Sequence, residues 1–194
     1  MRNFFYSHPF AVPFLPFGYR YEPYHFIQSS GSPSSKNIAV ACMRGGPLAP
    51  DLKGVVYFKD VPGGTEVYAN ISGLPPYLPG DKNKDPIGPH GFHIHEKGDC
   101  TVGNPEDPFR AAGEHWNPTN QPHGNHAGDF PVLFSNDGIA RMTFFTNKFK
   151  VQDIIGKAVI IHQSPDDYRT QPAGDAGKRL ACGIIQYFFD GLPF

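Results

Sequence analysis

The chain has 194 residues, and 17 Lys and Arg against 18 Asp and Glu leave a net charge of −1, so no global basic field recruits nucleic acid and no acidic excess drives disorder. No run of apolar residues approaches the roughly 18 that a helical membrane span needs. With 22 Gly and 21 Pro, roughly double the usual share of about 12%, this reads as a loop-rich globular chain long enough for one domain and some excess.

Residues 1–26 concentrate six Phe and four Tyr. They do not read as a cleavable export signal, because Pro9, Pro13, Pro16 and Pro23 interrupt any apolar stretch. The Ser, Gly and Pro of 29–35 follow as a connector. Residues 1–35 are therefore expected to form an aromatic extension to a domain over 36–194. Its rings either pack on their own domain or serve as an arm for assembly or a partner surface.

From residue 36 the pattern changes to short β-type runs between turn signals. The expected strands are 37–43, 53–59, 65–71, 92–95, 131–134, 139–146, 157–162 and 180–186, rich in Val, Ile, Phe and Tyr. Turn signals at Pro62-Gly63-Gly64, Asn136-Asp137-Gly138 and Gly156 separate several of them. About eight strands with no convincing amphipathic helix make the chain all-β, an antiparallel sandwich or barrel. Two loops break the spacing, at 74–89 and at 98–129. The second is about thirty residues long, a length uncommon in a compact domain unless the loop is functional.

The chemistry concentrates around that loop, where seven of the nine His lie between 90 and 162. In Gly91-Phe92-His93-Ile94-His95, strand alternation points His93 and His95 to one face and Phe92 and Ile94 to the other. His115, His123, His126 and Asp129 follow, with a spacing that lets one loop wrap an ion. His162 ends the apolar run Ala158-Val159-Ile160-Ile161. These seven groups exceed what one four-coordinate ion uses, but they fill two sites if one imidazole is shared. Four nitrogens favour Cu(II), and three nitrogens with a carboxylate favour Zn2+, so a copper–zinc pair is the economical reading.

The stretches Gly91-Phe92-His93-Ile94-His95-Glu96, Glu114-His115-Trp116-Asn117-Pro118, His126-Ala127-Gly128-Asp129, Val159-Ile160-Ile161-His162 and Gly177-Lys178-Arg179-Leu180-Ala181-Cys182-Gly183 resemble the copper–zinc superoxide dismutase family over 36–186. The resemblance implies an eight-stranded Greek-key β-barrel or flattened sandwich. It implies copper on His93, His95, His115 and His162, and zinc on His115, His123, His126 and Asp129, with His115 as the bridge. His90 resembles a structural histidine behind the copper strand. Asp166 resembles the carboxylate that links a copper ligand to a zinc ligand.

Cys100 and Cys182 match the family's intrasubunit disulfide, with Cys100 placed as in bacterial-type members. Cys42 is left over and is expected to be a small buried apolar residue on the first strand.

The activity implied is dismutation. One superoxide reduces Cu(II) and leaves as O2, and a second oxidises Cu(I), takes two protons and leaves as H2O2. His115 carries a proton between the half-reactions, and Arg179 attracts and orients the anion. Between His162 and Arg179 the loop is shorter than in eukaryotic members and its charges sum to zero, so weaker steering is expected.

Two alternatives stay open. One is a non-enzymatic metal-binding, spore-coat or surface protein on the same barrel. The other is a zinc hydrolase with Glu96 or Glu114 as base. A homodimer, or an assembly through residues 1–35, stays open beside these readings. The compartment is either cytoplasmic or surface- and spore-associated, with the disulfide favouring an oxidising one.

Overall fold

The computed structural model describes residues 35–188. Apart from Ser35, the expected aromatic extension over 1–35 lies outside the described residues. Seven strands are present among the described residues: β1 (Ile38–Gly45), β2 (Lys53–Val61), β3 (Gly64–Ser72), β4 (Phe92–His95), β5 (Ile139–Thr146), β6 (Ala158–His162) and β7 (Arg179–Tyr187). One short helical turn, α1 (Val151–Ile154), joins β5 to β6. The strands form a single curled antiparallel sheet in the order β4-β6-β7-β1-β2-β3-β5.

Alternation along the strands places one face in the core. Ala39, Ala41 and Met43 of β1, Val56 and Phe58 of β2, and Val67, Ala69 and Ile71 of β3 all pack in the main cluster. Aromatic rings fill its centre: Phe130 lies 5.2 Å from Phe92 and 6.4 Å from Phe58 between centroids, in tilted contacts. Such pairs contribute about 0.5–1.5 kcal/mol each beyond the area they bury.

Seven of the eight expected strands form, with ends that differ by a residue or two. The run expected at 131–134 contributes a single bridge, Leu133 to His90. Pro131 has no N–H to give a ladder, and the Val132 N–H donates to Tyr168 Oη at 2.8 Å instead of to a strand. Phe134 is 67% exposed. Asp137 and Gly138, both at positive φ, then make the tight turn that pairs Asn136 with Ile139 and starts β5. The eight-strand count is therefore not reached among the described residues. Cys42 also departs from expectation: it is exposed, because it falls on the outer face of β1 between buried Ala41 and Met43.

The outer face of β4, β6 and β7 is covered by the long loop. Phe92 and Ile94 turn inward to the core, and His93 and His95 turn outward. Residues of the loop pair along the free edge of β4: the Ile94 N–H donates to Gly128 O at 2.9 Å, and the Trp116 N–H donates to Ile94 O at 2.8 Å. A smaller apolar cluster of Phe109, Ala112, Ala158, Ile160 and Cys182 lies under the loop. Gly46 makes room for it, since a Cβ there would sit 2.7 Å from the Phe109 ring.

A disulfide joins Cys100 in the loop to Cys182 on β7. It closes a loop with a sequence separation of 82, which stabilises by about 4.5 kcal/mol on the chain-entropy argument. Cys182→Ser is expected to lower the unfolding free energy by an amount of this order in urea titrations. Equal stabilities for the variant and the parent chain would contradict the role given to this link.

Candidate metal centre

Two clusters of ligand atoms lie on the outer face of the β4–β6 edge. His93, His95, His115 and His162 form one, and His115, His123, His126 and Asp129 form the other, each with its ligand atoms within 4.8 Å of one another. All seven residues predicted from the sequence as ligands are thus brought together, and His115 belongs to both groups. β4 supplies His93 and His95 by alternation. His162 ends β6 where the register with β7 shifts between Ile161 and His162, a bulge of the kind that re-aims a side chain. The other four come from the loop held along β4, where His115 bridges to His95 and Asp129 to His93.

The outer nitrogens of four imidazoles are tied to oxygen acceptors, which fixes their tautomers. His93 Nε2–H donates to Asp166 Oδ2 at 2.6 Å, and His123 Nε2–H donates to Asp166 Oδ1 at 2.8 Å. His95 Nδ1–H donates to Gly113 O at 2.9 Å, and His162 Nδ1–H donates to Gly177 O at 3.2 Å. The remaining nitrogens carry lone pairs pointing inward. His95 Nε2 and His162 Nε2 face one another at 3.2 Å with no proton between them in these tautomers. His93 Nδ1, His115 Nε2, His123 Nδ1 and His126 Nδ1 are buried without a hydrogen-bond partner.

Asp129 completes the second cluster. Its Oδ2 accepts the N–H groups of Gly124 and His126 at 2.9 and 3.0 Å. Its Oδ1 lies 3.0 Å from His115 Nδ1 and 3.4 Å from His126 Nδ1. A tetrahedral ion with bonds of about 2.0–2.1 Å separates its ligands by about 3.3 Å, so these spacings fit a cation in the middle. Buried lone pairs converging without donors are costly in a protein interior, and a cation is the group that satisfies them. The donor sets, four imidazoles in one half and three with a carboxylate in the other, fit Cu(II) and Zn2+ respectively.

The electrostatics favour neutral rings and an ionised carboxylate, the states a metal requires. Burial, then the neighbouring His115 and His162, holds His93 well below the usual imidazole range. Burial and then His162 do the same to His95. His162 is lowered to about 3 by burial and by His115. Burial opposes ionisation of Asp129, but its hydrogen bond to His115 and the nearby His123 outweigh it and bring the carboxyl to about 2.

The residues expected behind the ligands are also located. His90 is fully buried and its Nδ1–H donates to the His162 carbonyl at 2.9 Å. Asp166 spans the two halves through His93 and His123. Arg179, buried on β7 opposite His162, donates from Nη1 to Phe109 O and from Nη2 to Gly113 O, both at 2.7 Å. Its charge acts on both His95 and His162. Glu96 and Glu114 are exposed and belong to neither cluster.

Sequence reasoning did not single out Gly113, whose carbonyl accepts from both His95 and Arg179, or Gly174. Gly174 has φ +65°, and a Cβ there would overlap Asp166 Oδ1 and His123 Nε2. Turn-like glycines in a Gly-rich loop carry no separate signal for such contacts.

Similarity to known proteins agrees with this site. The copper/zinc superoxide dismutase (SODC) family matches residues 52–185. The copper–zinc superoxide dismutase of Deinococcus radiodurans is 36% identical over 150 residues, 69% of this chain and 76% of the relative. Copper–zinc superoxide dismutase 2 of Aquifex aeolicus is 37% identical over 138 residues, 63% of this chain and 72% of the relative. The solved Cu/Zn superoxide dismutase from Brucella abortus superposes with a TM-score of 0.61 at 30% identity, covering 76% of this chain and 98% of that one.

The depressed imidazoles give the metal-free protein a defined acid response. Unfolded histidines take up protons from near 6.5, while His162 resists until about 3, so the unfolded state binds protons first. The stability these rings contribute is complete above pH 6.5 and is lost as the pH falls toward 3. Urea midpoints of the metal-stripped chain are expected to fall steadily from pH 7 to pH 4. A flat or rising profile over that interval would contradict the burial of neutral rings.

Proposed function

The chain belongs to the copper/zinc superoxide dismutase family, and on that premise we propose that its seven clustered side chains divide into two metal halves joined at His115. His93, His95, His115 and His162 hold copper. His115, His123, His126 and Asp129 hold zinc. The observation that carries this assignment is the pair of four-ligand clusters sharing the His115 ring, with unpartnered nitrogens turned into them. When bound, copper supplies the one-electron redox couple that converts superoxide to O2 and H2O2, and zinc supplies a fixed positive charge.

The protein's own groups do the rest. His115 Nε2, the nitrogen on the copper side with no hydrogen-bond partner among the described residues, would take a proton from solvent whenever its lone pair is free of copper and give it to the reduced substrate. Its Nδ1 stays on the side of Asp129, which keeps the ring in place. Asp166 orients His93 and His123 together, so the two halves are aligned by one carboxylate. Arg179 contributes a cation beside His95 and His162, with its orientation supported by the two carbonyls it grips. That charge attracts the small anion and places it by the copper half.

Residues 1–35 are read as an aromatic appendage to the domain at 36–194, and as the means by which copies form a homodimer or larger assembly. Their concentration of aromatic residues supports this. The Cys100–Cys182 disulfide supports a setting oxidising enough to maintain it, at the cell or spore surface rather than in a reducing cytoplasm.

Superoxide decay followed by stopped flow, on the full chain loaded with equimolar copper and zinc and freed of loose metal, tests the assignment. The loaded chain is expected to approach the diffusional range of about 10⁸–10⁹ M⁻¹s⁻¹, and His93→Ala to abolish the acceleration. Arg179→Ala is expected to lower the rate constant by about tenfold or more and to flatten its dependence on ionic strength. A loaded parent chain no faster than buffer, or an Arg179→Ala rate equal to the parent's, would contradict the respective roles.

A further inference from the structure

The connection from β6 to β7 reaches the zinc half at a place that the ligand assignment does not use. Gln171, exposed at the surface of that connection, turns its side-chain amide onto the main chain of His123. Its Oε1 accepts the His123 N–H at 2.8 Å, and its Nε2 donates to the His123 carbonyl at 3.4 Å. The same Nε2 donates to Arg169 O at 3.2 Å, so the amide is oriented from within its own loop. That loop is in turn shaped by the Asp167 carboxylate, which accepts the N–H groups of Arg169 and Thr170, each at 2.8 Å.

His123 lies outside the strands, so no ladder sets its backbone. Its imidazole is held at Nε2 by Asp166, and its peptide N–H finds an acceptor in Gln171. Two points are needed to aim Nδ1: one on the ring and one on the chain that carries it. We propose that Gln171 is a positioning residue for the zinc half, fixing the main chain of His123 and so the direction of its Nδ1 lone pair without touching the metal. The inference rests on the reading of His123 as a zinc ligand. Partners one step removed from a metal commonly change its affinity by about 10- to 100-fold when removed.

The chemistry of the amide indicates which variants separate positioning from bulk. Gln171→Met keeps the length of the side chain and removes both polar contacts. Gln171→Glu keeps the short acceptor contact to the His123 N–H and exchanges the longer donor contacts for a carboxylate oxygen that turns away from the two carbonyls to solvent at this exposed position. Both changes are at an exposed position, and neither alters a ligand.

Zinc and copper affinities of the full chain, measured separately by competition with a chromogenic chelator, test the proposal. Gln171→Met is expected to weaken zinc by about tenfold while copper affinity stays at the parent value, and Gln171→Glu to restore zinc binding. Unchanged zinc affinity in Gln171→Met overturns the proposal. So does an equal weakening of zinc and copper, which marks general loosening of the loop, and so does failure of Gln171→Glu to restore binding. A parent chain that binds copper but no zinc overturns the zinc reading itself, and the proposal with it.

Discussion

Everything in this structure depends on keeping several imidazole lone pairs buried, neutral and aimed at one another. Water would satisfy such atoms cheaply, and a protein interior does not. The arrangement is stable only when each ring's far nitrogen has an acceptor and each near nitrogen has a cation. Asp166, Gly113 O and Gly177 O meet the first condition for His93, His123, His95 and His162. The second is the role proposed for the metals. His115 is the exception that defines the site, because its two nitrogens face the two clusters and neither is spent on an outer acceptor.

The fold supplies the rigidity this requires. Strand alternation puts His93 and His95 on the opposite face of β4 from Phe92 and Ile94, so the ligands are anchored by the same strand that fills the core. The long loop does not wander over this face. It runs along β4 through backbone hydrogen bonds at Ile94, Glu96 and Trp116, and it is tied to β7 by Cys100–Cys182. Arg179 then links the loop to β7 a second time, through the carbonyls of Phe109 and Gly113. Redox chemistry that leaves the protein in place benefits from such a frame, since ligands held before the metal arrives need little reorganisation afterwards.

Much of this was legible in the sequence, and the boundary is instructive. The membership of the two side-chain clusters was readable because His and Asp carry the chemistry in their side chains, and because period-two alternation fixes which face His93 and His95 occupy. The strands with dense β-branched and aromatic residues were readable for a related reason. The run at 131–134 looked like a strand by composition, but Pro131 cannot donate and Tyr168 takes the Val132 N–H, a contact from 36 residues away. Cys42 looked like a core residue by type, yet strand register put it outside. Gly113, Gly174 and Gln171 were not readable at all. They act through a carbonyl, through missing volume and through an amide on a main chain, and no spacing in the sequence encodes those contacts.

One ring, His115, is proposed to join two different ions. Crystals of the metal-loaded chain, with anomalous difference maps collected on both sides of the copper and zinc absorption edges, test it directly. Two peaks are expected to flank the His115 imidazole, copper on the Nε2 side among His93, His95 and His162, and zinc on the Nδ1 side beside Asp129. A single peak, or two peaks neither of which touches His115, would contradict it.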